Sequence, residues 1–230
     1  MRNSRFNGAW RNQPFVTYTL LVITIGMFVL ETTMGGSTST KVLVTLGARF
    51  NPYIVLFDQW WRLVTPIFLH IGIVHLLVNM MSLWWLGRIT ETVFGHWRFL
   101  TIYLISGIVG NIGGMIFDGA NTVGAGASTS LFGLLGAFLM LGDNFRHNPA
   151  INAAVRQFVI IVVINLVFDL TQPTIDIAGH IAGLIGGFLI AGAVGSPRVG
   201  TIAPAKRVLM GVLLVVVPVA MFLIDGSRIL

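Results

Sequence analysis

Seven apolar runs, parted by short polar stretches, constrain this chain more than any other feature; they fall at about residues 15–34, 73–86, 97–117, 128–141, 155–170, 176–194 and 207–224. A helix rises about 1.5 Å per residue, so about 20 apolar residues cross a hydrocarbon core of about 30 Å, and a backbone without water must bond to itself. The runs predict an all-α membrane protein. Charged residues are 10 % of the chain, against the roughly one quarter usual in soluble domains. At 230 residues with short loops, the chain holds one helical bundle and no sizeable soluble domain. No small-x-small cleavage site follows the first run at the usual distance, so it is expected to stay as a span.

The net charge of +6 raises the question of nucleic acid, but Lys and Arg stand at the ends of the runs and form no patch. They mark topology instead. With the N-terminal tail (residues 1–14) inside, the cytoplasmic side holds Arg2, Arg5, Arg11, Arg88, Arg98, Arg146, Arg156, Arg198, Lys206 and Arg207. The outside holds Lys41, Arg49, Arg62 and Arg228, and this bias predicts N-in, C-out. The long segment from Gly35 to about Gly72, which carries Trp60, Trp61 and Arg62, is expected in the outer interface. Zero cysteines exclude disulfides, thiolate catalysis and Cys-ligated metals.

That orientation sends the second, fourth and sixth runs from outside to inside, so His75, Ser128 and His180, each near the start of its run, share one depth. The fourth run is short, roughly 21 Å of helix, so with Asp143 at the inner surface Ser128 lies below the outer one. His180 is one turn beyond Asp176, about 6 Å deep. Gly183, Gly186 and Gly187 in the sixth run and Gly133 and Gly136 in the fourth permit close packing. Serine and histidine are thus expected to meet at a packed seam.

Each polar residue also has an ordinary reading. Serine in a membrane helix commonly bonds back to its own helix, and an asparagine such as Asn79 commonly bonds a neighbouring one. Ionisable side chains at depth are costly and mark function, which singles out His180 and His75. His70 is expected to tie down the outer loop, while His96 and His147 fall in cytoplasmic loops and read as solvated. A membrane zinc protease needs His-Glu-x-x-His, which is absent. An aspartyl protease needs two facing carboxylates; Met140 breaks the pattern at Gly142-Asp143, and Asp169 sits at a span end. No internal repeat supports a transporter.

Trp61-Arg62, His70-x4-His75-x3-Asn79, Gly126-Ala-Ser128 leading into Phe132-Gly133, and Gly179-His180-x2-Gly183-x3-Gly187 together resemble the rhomboid intramembrane serine proteases. The resemblance implies a six-helix core (residues 15–195) and, beyond a cytoplasmic loop, one extra C-terminal transmembrane helix within residues 196–230. It implies Ser128 as nucleophile and His180 as general base, a dyad without an acidic third member. His75, Asn79 and the Ser128 backbone N–H would line an oxyanion hole. Gly126, Phe132, Trp61, Arg62, His70 and Gly183 would support the site, Phe132 by stacking on His180 where relatives often carry Tyr. Thr129 departs from the usual Gly or Ala after the serine, and its β-branch threatens to crowd the site.

The chemistry suits the residues. A serine hydroxyl needs a base near neutral pH, and the tetrahedral oxyanion needs donors where water is scarce. The expected activity is hydrolysis, without cofactor or metal, of peptide bonds in or near the transmembrane segments of single-pass proteins, which enter laterally from the lipid. The expected location is the plasma membrane, multi-pass, with the site opening outward. The competing expectation is a catalytically inactive relative that binds transmembrane helices.

Overall fold

The computed structural model describes residues 13–172 and 175–225; Arg2, Arg5, Arg11 and Arg228, on which part of the expected topology rests, lie outside them. The first helix, α1 (Phe15–Thr33), starts after Pro14, which offers no side-chain cap. The cap comes from far along the chain: the buried Glu91 carboxylate accepts from Val16 N at 3.0 Å and from Thr17 N and Oγ1 at 2.8 and 2.6 Å. A carboxylate at the positive end of a helix satisfies orphan N–H groups and favours the local dipole. His96 Nδ1 lies 2.5 Å from the same carboxylate, so His96 belongs to this junction and is not the solvated loop residue expected.

The long first loop folds into short pieces: α2 (Thr40–Leu46), β1 (Arg49–Phe50), α3 (Asn51–Leu56) and two 3-10 turns, Trp60–Leu63 and Thr65–Phe68. Gly47 closes α2 at φ 104°, a left-handed conformation that glycine adopts without a Cβ penalty. Helix α4 (Ile73–Ser82) runs through a π turn (Leu83–Gly87) into α5 (Arg88–Phe94), two turns past the expected end of the second span. Then come α6 (His96–Phe117), β2 (Val123–Gly124), α7 (Ser128–Asn144), α8 (Pro149–Asp169), α9 (Ile177–Val194) and α10 (Pro204–Asp225). Among the described residues, α1, α6, α8, α9 and most of α10 are individually long and apolar enough to cross a membrane. The continuous α4–α5 rod and the short α7 fill the two remaining expected spans, and α10 is the extra C-terminal helix.

Helices α6, α7 and α9 form the inner core, and glycine sets their spacing. A Cβ on Gly187 of α9 would run into the Gly133 carbonyl of α7, and one on Gly183 into the Thr129 carbonyl. Removing those methyl groups lets two backbones touch, the close packing of membrane helices. The start of α9 is fixed by charge. Strand β1 pairs antiparallel with β2, placing Arg49 opposite Gly124. The fully buried Arg49 guanidinium donates to Asp176, the α9 N-cap, at 2.8 Å and also to Asp118, which follows α6. Burial and then Asp176 push the Asp118 carboxyl up, while Arg49 pulls it down.

Candidate active site

Ser128 is the first residue of α7, and the segment before it has an unusual shape for a local reason. Gly126 sits at φ 144° and donates its N–H to the Pro66 carbonyl at 2.9 Å, turning the chain from β2 into the helix. A side chain there would also strike the His75 ring, its Cβ 2.8 Å from Cε1. Ala127 N donates to Nε2 of His70 at 3.4 Å. His70 is fully buried in the outer loop, and burial, then neighbouring His75, push its pKa down to about 3, against the opposing pull of the Phe68 carbonyl. It is neutral and accepts. His70 thus links the outer loop to the residue before the serine, and its backbone N–H donates to Glu31 Oε1 of α1 at 3.1 Å.

His180 lies in the first turn of α9, beyond the Asp176 cap that accepts from Gly179 N. Its Nε2 is 2.8 Å from Ser128 Oγ. Phe132, one turn along α7, lies flat on the imidazole, with ring centroids 4.4 Å apart at 14°. Thr129 does not crowd the site: a Cβ added to Gly110 of α6 would stand 2.6 Å from the Thr129 Cβ, so the branched side chain packs into the notch that glycine leaves.

The oxyanion candidates divide. The His75 ring lies against Gly126, and its Nδ1 accepts from Ile71 N at 3.3 Å, which leaves the proton on Nε2 as a donor. As the first residue of α7, Ser128 has a backbone N–H with no partner inside the helix. Asn79, buried, instead donates its amide to the His75 carbonyl at 2.9 Å within its own helix. Trp61 and Arg62 organise the first loop away from the serine: Arg62 is buried and donates to the Val44 and Ala48 carbonyls at 2.7 and 3.0 Å, while Trp61 is half exposed beneath its guanidinium.

One residue was not expected here. Asp169, the last residue of α8, places Oδ2 2.7 Å from His180 Nδ1 and is buried. A carboxylate closing an apolar run reads as an interfacial residue, and its place 11 positions before the histidine, on a different helix, gives no periodic signal.

Fold and site define a class: a polytopic helical membrane protein in which a serine hydroxyl and an imidazole meet at the outset of two glycine-packed helices. The Rhomboid domain model matches residues 58–197, a span containing Arg62, Ser128, Asp169 and His180, and the chain belongs to the rhomboid family. It is 43 % identical over 207 residues to rhomboid protease GluP of Bacillus subtilis, covering 90 % of this chain and 40 % of that one. RHOMBOID-like protein 7 of Arabidopsis thaliana is 38 % identical over 183 residues, 77 % of this chain and 57 % of its own length. Rhomboid-like protease 1 of Toxoplasma gondii is 32 % identical over 165 residues, 70 % of this chain and 56 % of its own. The chain thus spans about half the length of these relatives.

Proposed function

We propose that this chain is an intramembrane serine endopeptidase that cleaves single-pass membrane proteins in or near their transmembrane segments. The observation that carries the reading is the 2.8 Å approach of His180 Nε2 to Ser128 Oγ, with Phe132 stacked on the ring. Nε2 takes the hydroxyl proton as Oγ attacks the peptide carbonyl carbon, and returns it to the leaving amine; water then hydrolyses the acyl-enzyme by the same route. The developing oxyanion meets His75 Nε2–H and the Ser128 N–H at the N-terminal end of α7, where the helix dipole favours negative charge. Rotation of the Asn79 amide away from the His75 carbonyl adds a third donor. A substrate segment enters from the lipid and unwinds locally, because a helical peptide bond is shielded by its own backbone.

The charge bias supports an N-in orientation in the plasma membrane, with the site reached from outside. The relatives named as proteases favour an enzyme over an inactive helix binder. Purified protein in liposomes is expected to cleave members of a panel of single-pass proteins without added cofactor and to react with a fluorophosphonate at Ser128. Ser128→Ala and His180→Ala each abolish cleavage while the protein still accumulates in the membrane; a cleaving Ser128→Ala protein overturns the mechanism. Reporters placed in residues 142–149 read inside, and the opposite result reverses the orientation.

A further inference from the structure

Resting on that reading, we propose that Asp169 is a positioning residue for the reaction, holding His180 in the tautomer that accepts the serine proton and stabilising the imidazolium that follows. The site is then a triad carried on three helices, with α8 supplying the acid.

Three features of Asp169 make it a poor place for a carboxylate unless the imidazole compensates. It is 4 % exposed, although ionised side chains are rarely buried without a partner. It ends a helix of membrane-spanning length, where headgroups and water would solvate a carboxylate that faced outward, and this one is enclosed instead. It also sits at a helix C-terminus, the end whose partial negative charge disfavours another anion. No lysine or arginine offsets these penalties: among the described residues, the ion-pair contact of Asp169 is with His180 alone. A residue kept only to solubilise a helix end would face the headgroups, and this one faces inward.

The imidazole has a matching need. His180 lies in the first turn of α9, whose positive end disfavours a protonated ring. The ionisable groups facing it are His75 from α4 and Asp169 from α8, while Asp176 on its own helix is engaged with Gly179 N and Arg49. Asp169 is therefore the free anion able to balance charge arriving on the ring.

The proton accounting is simple. Carboxylate oxygen only accepts, so Nδ1 carries a hydrogen donated to Oδ2, and Nε2 presents a lone pair to the serine O–H. During attack, the O–H proton moves to Nε2 while the Nδ1–H stays on the ring. Asp169 keeps its charge throughout, and no proton passes to it.

The test compares wild type, Asp169→Asn, Asp169→Ala and Asp169→Glu in liposomes by steady-state cleavage, fluorophosphonate labelling, thermal midpoint and ¹⁵N-histidine NMR of His180. Asp169→Asn, nearly isosteric, is expected to lower kcat by about 100-fold or more with KM and thermal midpoint held. Asp169→Glu restores part of the loss. The NMR spectrum shows His180 protonated at Nδ1 in wild type and redistributed toward Nε2–H in Asp169→Ala. Wild-type kcat in Asp169→Asn, or an unchanged tautomer in Asp169→Ala, overturns the proposal, as does a loss accounted for wholly by a fall in thermal midpoint. Absence of cleavage and labelling by wild type would instead overturn the enzyme reading, and the tautomer measurement would still decide what Asp169 does to His180.

Discussion

The two helices that carry serine and histidine, α7 and α9, differ sharply from the helix that follows each in sequence, α8 and α10. In the window that could cross the membrane, 56 % of α9 is buried, against 11 % of α8 and 6 % of α10. Helix α7 is enclosed almost throughout, Asp143 being its one exposed residue. The inner pair is glycine-spaced backbone on backbone; the outer pair shows lipid a surface of Val, Ile, Leu and Phe. Lipid tails are as apolar as those side chains, so the outer helices gain little from burial and tolerate change, whereas the inner pair has one fit. The 2.8 Å approach of His180 to Ser128 is held on the inner pair, and α8 brings Asp169 to it from its end.

Substitutions should reproduce this ranking. The largest effect is expected from Gly187→Ala, whose new methyl would enter the Gly133 backbone. The loss should reach or pass the upper end of the about 1–3 kcal/mol typical of overpacking. Ile164→Ala, on the lipid face of α8, should stay within about 0.5 kcal/mol. Thermal midpoints in one detergent measure both, and equal midpoints would break the contrast.

A smaller effect, on rate and not stability, is expected from Asn79→Ala. An oxyanion donor is typically worth about 100- to 1000-fold in kcat, and the lower end or less is expected because His75 and the Ser128 N–H share the charge. Combined with His75→Ala, the loss should exceed either single loss yet fall short of their product. Full turnover by Asn79→Ala, or a loss explained by unfolding, would return Asn79 to the purely structural role that its bond to the His75 carbonyl already shows.

Next comes pH. His70 titrates near 6.5 when unfolded and at about 3 when folded, so below pH 6.5 the unfolded chain binds a proton that the folded chain refuses. Stability should therefore decline as pH falls from about 6.5 toward 3, by at most about 1.4 kcal/mol per pH unit from this group. Replacing His70 with Gln should flatten that part of the profile, measured as thermal midpoint against pH; an unaltered slope assigns the acid sensitivity elsewhere. The smallest effect is expected at the Lys206 to Asp143 contact of 2.6 Å, which ties α10 to the end of α7. Being exposed, it should be worth about 0.2–1 kcal/mol, and Lys206→Ala with a midpoint loss beyond that would show α10 to be more tightly integrated than its surface suggests.

The seven apolar runs were legible because hydrophobic length is a local property of sequence. Ser128 and His180 were legible through topology: two runs in the same direction, each with its polar residue near the start, bring those residues to a similar level. Phe132 was legible through the resemblance to the rhomboid proteases, which implied a ring stacked on His180. Asp169 was not legible, because it and His180 stand on different helices and no period connects the two. Nor was the role of Glu91, whose meaning depends on an α1 terminus more than seventy residues earlier, where Pro14 leaves orphan N–H groups. Thr129 looked obstructive in sequence because the notch at Gly110 belongs to another helix. In each case the missing information was a long-range neighbour.

The shortness of α7 also bears on the lipid. Its 17 residues make about 26 Å of helix, several ångströms less than an average bilayer core, and a span that short in contact with lipid would force the membrane to thin around it. Its apolar length is instead almost wholly enclosed by the other helices. The surface offered to lipid comes in good part from α8 and α10, with 21 and 22 residues, or about 32 to 33 Å each. The short helix is thus enclosed by protein, and so is Ala127 in the non-helical segment ahead of Ser128, burial in protein being a setting in which irregular backbone at membrane depth is tolerated.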